Sequence, residues 1–274
     1  MKIRIGVLRP SSRVPLLALT WALSFACLTP ATRVWSASAQ ITSPNGSYGI
    51  LLNQLKDPNS NSISSLLGVL SFDGAGNVSG SYTIVSSKNP IATGTLTGTY
   101  SGNPDGTNTV NLTFDVGATA TVLLAVTDGG NGLQLVLTGG SLLKPGQVVG
   151  GTGRLQSSLS TTPAGSYGYL LNQWPDANNA PGSIFGVFNL DGAGNITGSY
   201  TIVGSAGPTP ISGTLTGTYL VSPDGTGSTS VRLDIGISVK LAMVVIDGGS
   251  GIQLLQTSTS GGGSAVVSGT ARMQ

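Results

Sequence analysis

The chain states its main content twice. Pro44-Asn45-Gly46-Ser47-Tyr48-Gly49 returns as Pro163-Ala164-Gly165-Ser166-Tyr167-Gly168, and Leu51-Leu52-Asn53-Gln54 returns as Leu170-Leu171-Asn172-Gln173. Asp73-Gly74-Ala75-Gly76-Asn77 returns as Asp191-Gly192-Ala193-Gly194-Asn195. The heptapeptide Gly94-Thr95-Leu96-Thr97-Gly98-Thr99-Tyr100 returns unchanged from Gly213 to Tyr219. Asp128-Gly129-Gly130 returns as Asp247-Gly248-Gly249, and Gly151-Thr152-Gly153-Arg154 as Gly269-Thr270-Ala271-Arg272. The offset is 118 or 119 residues throughout. Solenoid units repeat every ~20–50 residues, so this period marks a duplicated domain. The first copy spans 40–156 and the second 163–274, with the Ser/Thr-rich stretch 157–162 between them as a linker.

Each copy carries a β signal. Thr93, Thr95, Thr97 and Thr99 alternate with Gly94, Leu96, Gly98 and Tyr100, and Val110, Leu112, Phe114 and Val116 alternate with Asn111, Thr113 and Asp115. A period of two buries one face of a strand and leaves the other in water. Asp-Gly and Asn-Gly pairs separate these runs and suit the positive φ of hairpin turns. No segment has a convincing helical period. The pattern predicts eight strands in copy one, near 47–54, 65–72, 77–85, 91–100, 107–116, 119–127, 132–138 and 147–156, with copy two in the same order. Eight short hairpin-linked strands predict an up-and-down meander closed into a β-barrel, which removes exposed edges. The expected architecture is all-β, two tandem eight-stranded barrels, with two β-sandwiches as the alternative. Gly80, Gly94 and Gly98 fall on the inward face and would let the sheet coil tightly.

Residues 1–39 read as an export signal. Lys2, Arg4, Arg9 and Arg13 form a basic head, 14–28 is an apolar run, and Ala37-Ser38-Ala39 supplies a cleavage site. The apolar run is shorter than the ~20 residues a spanning helix needs. An uncleaved anchor and lipid attachment at Cys27 are the alternatives. Cleavage removes five of the twelve Lys and Arg residues and leaves seven against ten Asp. No basic patch remains to neutralise phosphates, so nucleic acid is not an expected partner. Cys27 leaves as well, which excludes disulfide and thiol chemistry in the mature chain. The mature chain carries no expected transmembrane segment. A sixteen-stranded outer-membrane barrel fits poorly with polar Thr faces and a terminal Gln274.

The chemistry of catalysis is thinly represented. The chain has no His and no Glu, so it lacks an imidazole base, a Ser-His-Asp triad and the usual zinc ligands. Lys144 and Lys240 leave a Ser-Lys dyad open, but neither has a counterpart in the other copy. All ten acids are Asp, in five pairs related by the repeat: 57/176, 73/191, 105/224, 115/234 and 128/247. Six precede Gly directly, a turn signature rather than an acid–base pair. Asp115 and Asp234 stand apart as strand residues, read as solvated positions facing water or a polar barrel mouth, with ion pairs of Asp115 with Arg154 and of Asp234 with Arg272 as the alternative. Gly129-Gly130-Asn131-Gly132 is similar to a calcium nonapeptide, but Gln134 occupies its carboxylate position. No metal site and no cofactor are expected.

The ends of each copy resemble the calycin superfamily of lipocalins and avidins. Gly46-x-Tyr48 opens the first strand and Arg154 closes the last, and Gly165-x-Tyr167 and Arg272 repeat the arrangement. The resemblance implies that Tyr48 pairs with Arg154, and Tyr167 with Arg272, to close a barrel, with Tyr where that family carries Trp. It also implies a small apolar ligand inside. The cassettes further resemble secreted tandem-repeat proteins of soil bacteria such as acidobacteria. Tyr48, Tyr82 and Tyr100 match Tyr167, Tyr200 and Tyr219, either as core or as ligand lining. Trp174 is placed in a loop as a contact residue. The expected role is therefore an exported, non-catalytic binding protein for a small apolar ligand, or else a structural or adhesive surface protein with a cell-surface partner. Intact mass spectrometry of the exported chain is expected to show an N terminus at Gln40. A diacylglyceryl group on Cys27 would overturn that cleavage site.

Overall fold

The computed structural model describes residues 43–54, 63–157, 162–174, 181–205, 207–260 and 265–274. The export segment, Cys27, Asp57, Asp176 and most of the linker lie outside the described residues. Sixteen strands form two closed eight-stranded antiparallel barrels in tandem, so the meander holds and the sandwich does not. Barrel 1 runs β1 (Gly46–Gln54), β2 (Ser64–Phe72), β3 (Asn77–Ser86), β4 (Ala92–Gly102), β5 (Asn108–Phe114), β6 (Thr119–Thr127), β7 (Gly132–Gly139) and β8 (Val149–Leu155). Barrel 2 runs β9 (Ala164–Trp174), β10 (Gly182–Asp191), β11 (Asn195–Gly204), β12 (Gly207–Val221), β13 (Thr226–Leu233), β14 (Ser238–Ile246), β15 (Gly251–Thr259) and β16 (Val266–Met273). Each strand pairs with its neighbour in sequence, and first meets last. β1 closes on β8 from Tyr48 opposite Leu155 to Gln54 opposite Val149. β9 closes on β16 from Tyr167 opposite Met273 to Trp174 opposite Val266.

The sequence alternation explains the layers. On β4, Leu96 and Tyr100 are buried while Thr93, Thr95, Thr97 and Thr99 face solvent. Closing so few strands demands strong coiling, and glycine permits it. A Cβ on Gly80 would lie 1.9 Å from the Val69 carbonyl oxygen, and one on Gly98 2.0 Å from that of Asn111. At the turns, Asp73 accepts from the backbone N–H groups of Ala75 and Asn77 while Gly74 and Gly76 take positive φ. Asp191 repeats this with Ala193 and Asn195.

Three expectations need correction. β5 ends at Phe114 and β13 at Leu233, so Asp115 and Asp234 open turns instead of lying within strands. The reason is that the next residues, Val116-Gly117 and Ile235-Gly236, reverse the chain with glycine at positive φ. Trp174 is the last residue of β9, and its indole N–H donates to the Ser268 hydroxyl at 3.0 Å. Finally, Asp128–Gly130 and Asp247–Gly249 each form one turn of 3-10 helix, too short to leave a period in sequence. Asp128 and Asp247 hold positive φ there themselves.

The two barrels share an apolar seam. Leu51, Ile63, Leu67, Val69 and Val85 point outward from barrel 1 and pack with Val244, Ile246, Leu255 and Val266 of barrel 2. Gly49 makes the approach possible: a Cβ there would sit 2.5 Å from Ile246 and 2.6 Å from Val244. Its counterpart Gly168 would meet only the Gln274 side chain, at 3.5 Å. Polar bonds flank the seam. The Gln156 amide donates to the Val245 carbonyl at 3.0 Å, and Ser268 donates to Asn53 Oδ1 at 2.8 Å. Gly49→Leu is therefore expected to destabilise the protein by about 1–3 kcal/mol through overpacking. Gly168→Leu is expected to leave thermal unfolding almost unchanged. Differential scanning calorimetry of the two variants side by side checks this.

Candidate functional site: barrel interiors and the arginine–aspartate seam

The six tyrosines singled out in the sequence are all buried, and their hydroxyls tie strands to turns. The Tyr48 hydroxyl donates to the Gly130 carbonyl at 2.6 Å, and that of Tyr167 donates to Gly249. Tyr100 donates to the Pro44 carbonyl at 3.2 Å, and Tyr219 to that of Pro163 at 2.7 Å. Phe72 packs edge-on between Tyr48 and Tyr100, with centroids 5.9 and 5.1 Å away. These four tyrosines thus plug the end of each barrel where the first strand begins. Burial raises the pKa of Tyr48, Tyr167 and Tyr219.

Tyr82 and Tyr200 do something different. Tyr82 donates to Asp115 at 2.9 Å, and Tyr200 to Asp234 at 2.8 Å. The same carboxylates accept the Thr95 and Thr214 backbone N–H groups at 2.8 and 2.7 Å. Each Asp folds back over a glycine: a Cβ on Gly94 would lie 2.2 Å from Asp115, and one on Gly213 2.4 Å from Asp234. The backbone N–H groups, and then the tyrosines, hold Asp115 and Asp234 below the ordinary carboxylate range. Burial, and then the carboxylate bond, pushes Tyr200 up to about 12 and raises Tyr82 as well.

Asp115 and Asp234 are both exposed, in line with the solvated reading, and the alternative ion pairs are wrong in their partners. Arg154 bonds Asp128, not Asp115, and Arg272 bonds Asp247, not Asp234. Arg154 also reaches Asp247 of barrel 2, with Nε 3.2 Å from Oδ1. Asp115 and Asp234 open turns where backbone N–H and tyrosine hydroxyl groups already satisfy their carboxylates. The arginines instead lie beside the 3-10 turns that carry Asp128 and Asp247. Tyr48 and Arg154 do serve one closure, but through the Asp128–Gly130 turn: Tyr48 takes its carbonyl and Arg154 its carboxylate. The sequence offered a sign of this, since Asp128-Gly129-Gly130 repeats as faithfully as the arginines.

Barrel 1 holds a cavity of about 100 Å³ toward the opposite end. Its wall is aliphatic and includes Ile50, Leu52, Leu70, Ile84 and Leu137, with Gln54 and Ser64 at one side. The Ser64 hydroxyl donates to the Gln54 amide oxygen at 2.6 Å. None of the six tyrosines lines it, so of the two readings, core or ligand lining, their positions fit the core. The reason is their polar tip, which seeks carbonyls and carboxylates at the barrel ends. Barrel 2 places Tyr169 where barrel 1 has Ile50, and Phe188 where it has Leu70. The two rings stack with centroids 3.9 Å apart at 11°. Tyr169 is the lumen residue that the sequence reading passed over. Its signal was the break of the repeat at one inward position. Burial, and next the neighbouring Tyr200, raises its pKa.

Comparison with protein-family models and with curated proteins finds no match. Comparison with solved structures gives weak likenesses. A de novo designed fluorescence-activating β-barrel is 14% identical with a TM-score of 0.30, covering 43% of this chain and 97% of its own. Transferrin binding protein B from Neisseria meningitidis serogroup B is 8% identical with a TM-score of 0.32, covering 84% of this chain and 77% of its own. An AttH from Nitrosomonas europaea is 9% identical with a TM-score of 0.30, covering 83% and 92%. Among the described residues, no helix is long and apolar enough to cross a membrane.

The lowered Asp115 and Asp234 and the raised Tyr82 and Tyr200 set two pH limits. A depressed carboxylate stabilises the fold above its unfolded pKa near 4, and that contribution is lost as pH falls through the folded value. A raised tyrosine stabilises below about pH 10, and its share is lost as pH rises through the folded value, which for Tyr200 is about 12. Thermal unfolding is expected to be flat from about pH 5 to 9 and to fall on both sides. In Asp115→Asn/Asp234→Asn the acid fall is expected to become shallower, read by circular dichroism across pH.

Proposed function

We propose that the protein is exported and non-catalytic, and that barrel 1 alone takes a small apolar ligand. The cavity walled by Ile50, Leu52, Leu70 and Leu137 is the observation that carries this reading. At about 100 Å³ it is smaller than the ~300 Å³ of drug-sized sites. An apolar cavity of ~150 Å³ takes benzene or xenon. The ligand class is accordingly a compact hydrocarbon-like molecule of a few carbons, well below a fatty acid or haem in size. Tyr169 and Phe188 deny barrel 2 the same use, so duplication has left one binding barrel and one filled barrel. The Arg–Asp seam supports a holding role: its carboxylates are consumed in ion pairs, and those of Asp115 and Asp234 in hydrogen bonds. Export rests on the basic head, apolar run and Ala37-Ser38-Ala39 site. A surface or structural role is the second reading, favoured by the exposed apolar face of barrel 2 made by Leu170, Phe185 and Val203.

The test is methyl NMR with xenon or benzene as the probe. Resonances of Ile50, Leu52 and Leu137 are expected to shift with saturation, while those of Ile184 and Leu254 stay still. Ile50→Tyr with Leu70→Phe and Phe114→Leu brings the Tyr169–Phe188 pair of barrel 2 into barrel 1, together with the Leu233 that stands at the Phe114 position there. It is expected to abolish the shifts without lowering the melting temperature. Equal shifts in both barrels, or none in barrel 1, would end the proposal.

A further inference from the structure

The seam between the barrels joins two different faces. Barrel 1 contributes β1–β3 through Leu51, Leu67, Val69 and Val85, and barrel 2 contributes β14–β16 through Val244, Ile246, Leu255 and Val266. Because the barrels are copies, each also carries the face that its neighbour used. On barrel 2 the counterparts of Leu51, Leu67 and Val85 are Leu170, Phe185 and Val203, which are 48%, 49% and 41% exposed. On barrel 1 the counterparts of Leu255 and Val266 are Val136 and Val148, both exposed. Leu123, Ala125, Gln134 and Val136 line a hollow of about 330 Å³ there. The matching positions on barrel 2, Ala242, Val244, Gln253 and Leu255, form the seat that barrel 1 covers.

We infer that a second copy of this chain docks by the same rule, the β9–β11 face of one molecule on the β6–β8 face of the next. A contact between unlike faces leaves both faces free again at the ends, so it propagates into a ring or an open filament. Sizes correspond across the new contact. Phe185 is larger than Leu67, and the seat offers Ala125 and Thr127 in place of Val244 and Ile246. Gly168 keeps the flat spot that Gly49 provides inside the chain, open apart from the Gln274 side chain. Charge corresponds as well. Within the chain, Arg154 bridges Asp128 and Asp247, and Asp247 bridges Arg154 and Arg272. Arg272 and Asp128 end this alternating row, with side chains 47% and 59% exposed. Repeating the step sets Arg272 of one copy beside Asp128 of the next and continues the row. The assembly is independent of the ligand cavity, which lies inside barrel 1.

Sedimentation velocity of the purified chain across concentration, with electron microscopy of the largest species, tests the inference. The wild-type chain is expected to grow with concentration beyond a dimer. Phe185→Asp or Gly168→Leu blocks one face, and Val136→Asp blocks the other. Each variant alone is expected to stay monomeric with an unchanged melting temperature. An equimolar mixture of Phe185→Asp and Val136→Asp is expected to stop at a one-to-one dimer, because one intact face of each kind remains. Three results would overturn the inference: a wild-type chain monomeric to millimolar concentration, association that survives both variants, or a Val136→Asp chain that still dimerises through like faces.

Discussion

Closure of eight short strands on themselves governs everything else here. A closed barrel leaves no edge, so every strand has a hydrogen-bonded neighbour on both sides. The cost is curvature. Where Gly80 meets Val69 and Gly198 meets Val187, the neighbouring carbonyl lies within 2.0 Å of any Cβ position. No side chain is compatible with that distance, so the sheet can coil only where glycine stands. The abundance of glycine in this chain is thus a property of its geometry rather than of flexibility.

Tight coiling also decides what the interior can hold. A narrow barrel has room for one layer of inward side chains. Tyrosines occupy the end where their hydroxyls reach turn carbonyls, and aliphatic residues occupy the rest. In barrel 1 Ile50 and Leu70 leave a hollow, whereas in barrel 2 Tyr169 and Phe188 stack in the corresponding place. Ile50/Tyr169 and Leu70/Phe188 are among the lumen positions at which the two copies differ.

The same duplication produced an asymmetric pair. Had the barrels met through like faces, the contact would have closed on itself. They meet through unlike faces, so the outward residues of β9–β11 and β6–β8 keep the shape of a contact without the partner. The acidic turns show a parallel economy. Asp128 and Asp247 brace their own barrels, and Asp247 also reaches the arginine of the other barrel.

The order and nature of the strands were written in the sequence, because alternation and glycine turns are local properties of the chain. The predicted strand 77–85 became Asn77–Ser86, and 119–127 was reproduced without change. Duplication, the inward tyrosines and the turn role of Asp73 and Asp191 were legible for the same reason. The partner of each arginine was not, since Asp115 and Asp128 both precede Arg154 on turns between strands, and only the closed sheet decides which turn comes near. The cavity was equally hidden: its presence depends on how eight inward rows fill a shared volume, a sum that no single strand reveals. The choice of unlike faces for the seam belongs to tertiary structure alone, because both copies carry both faces.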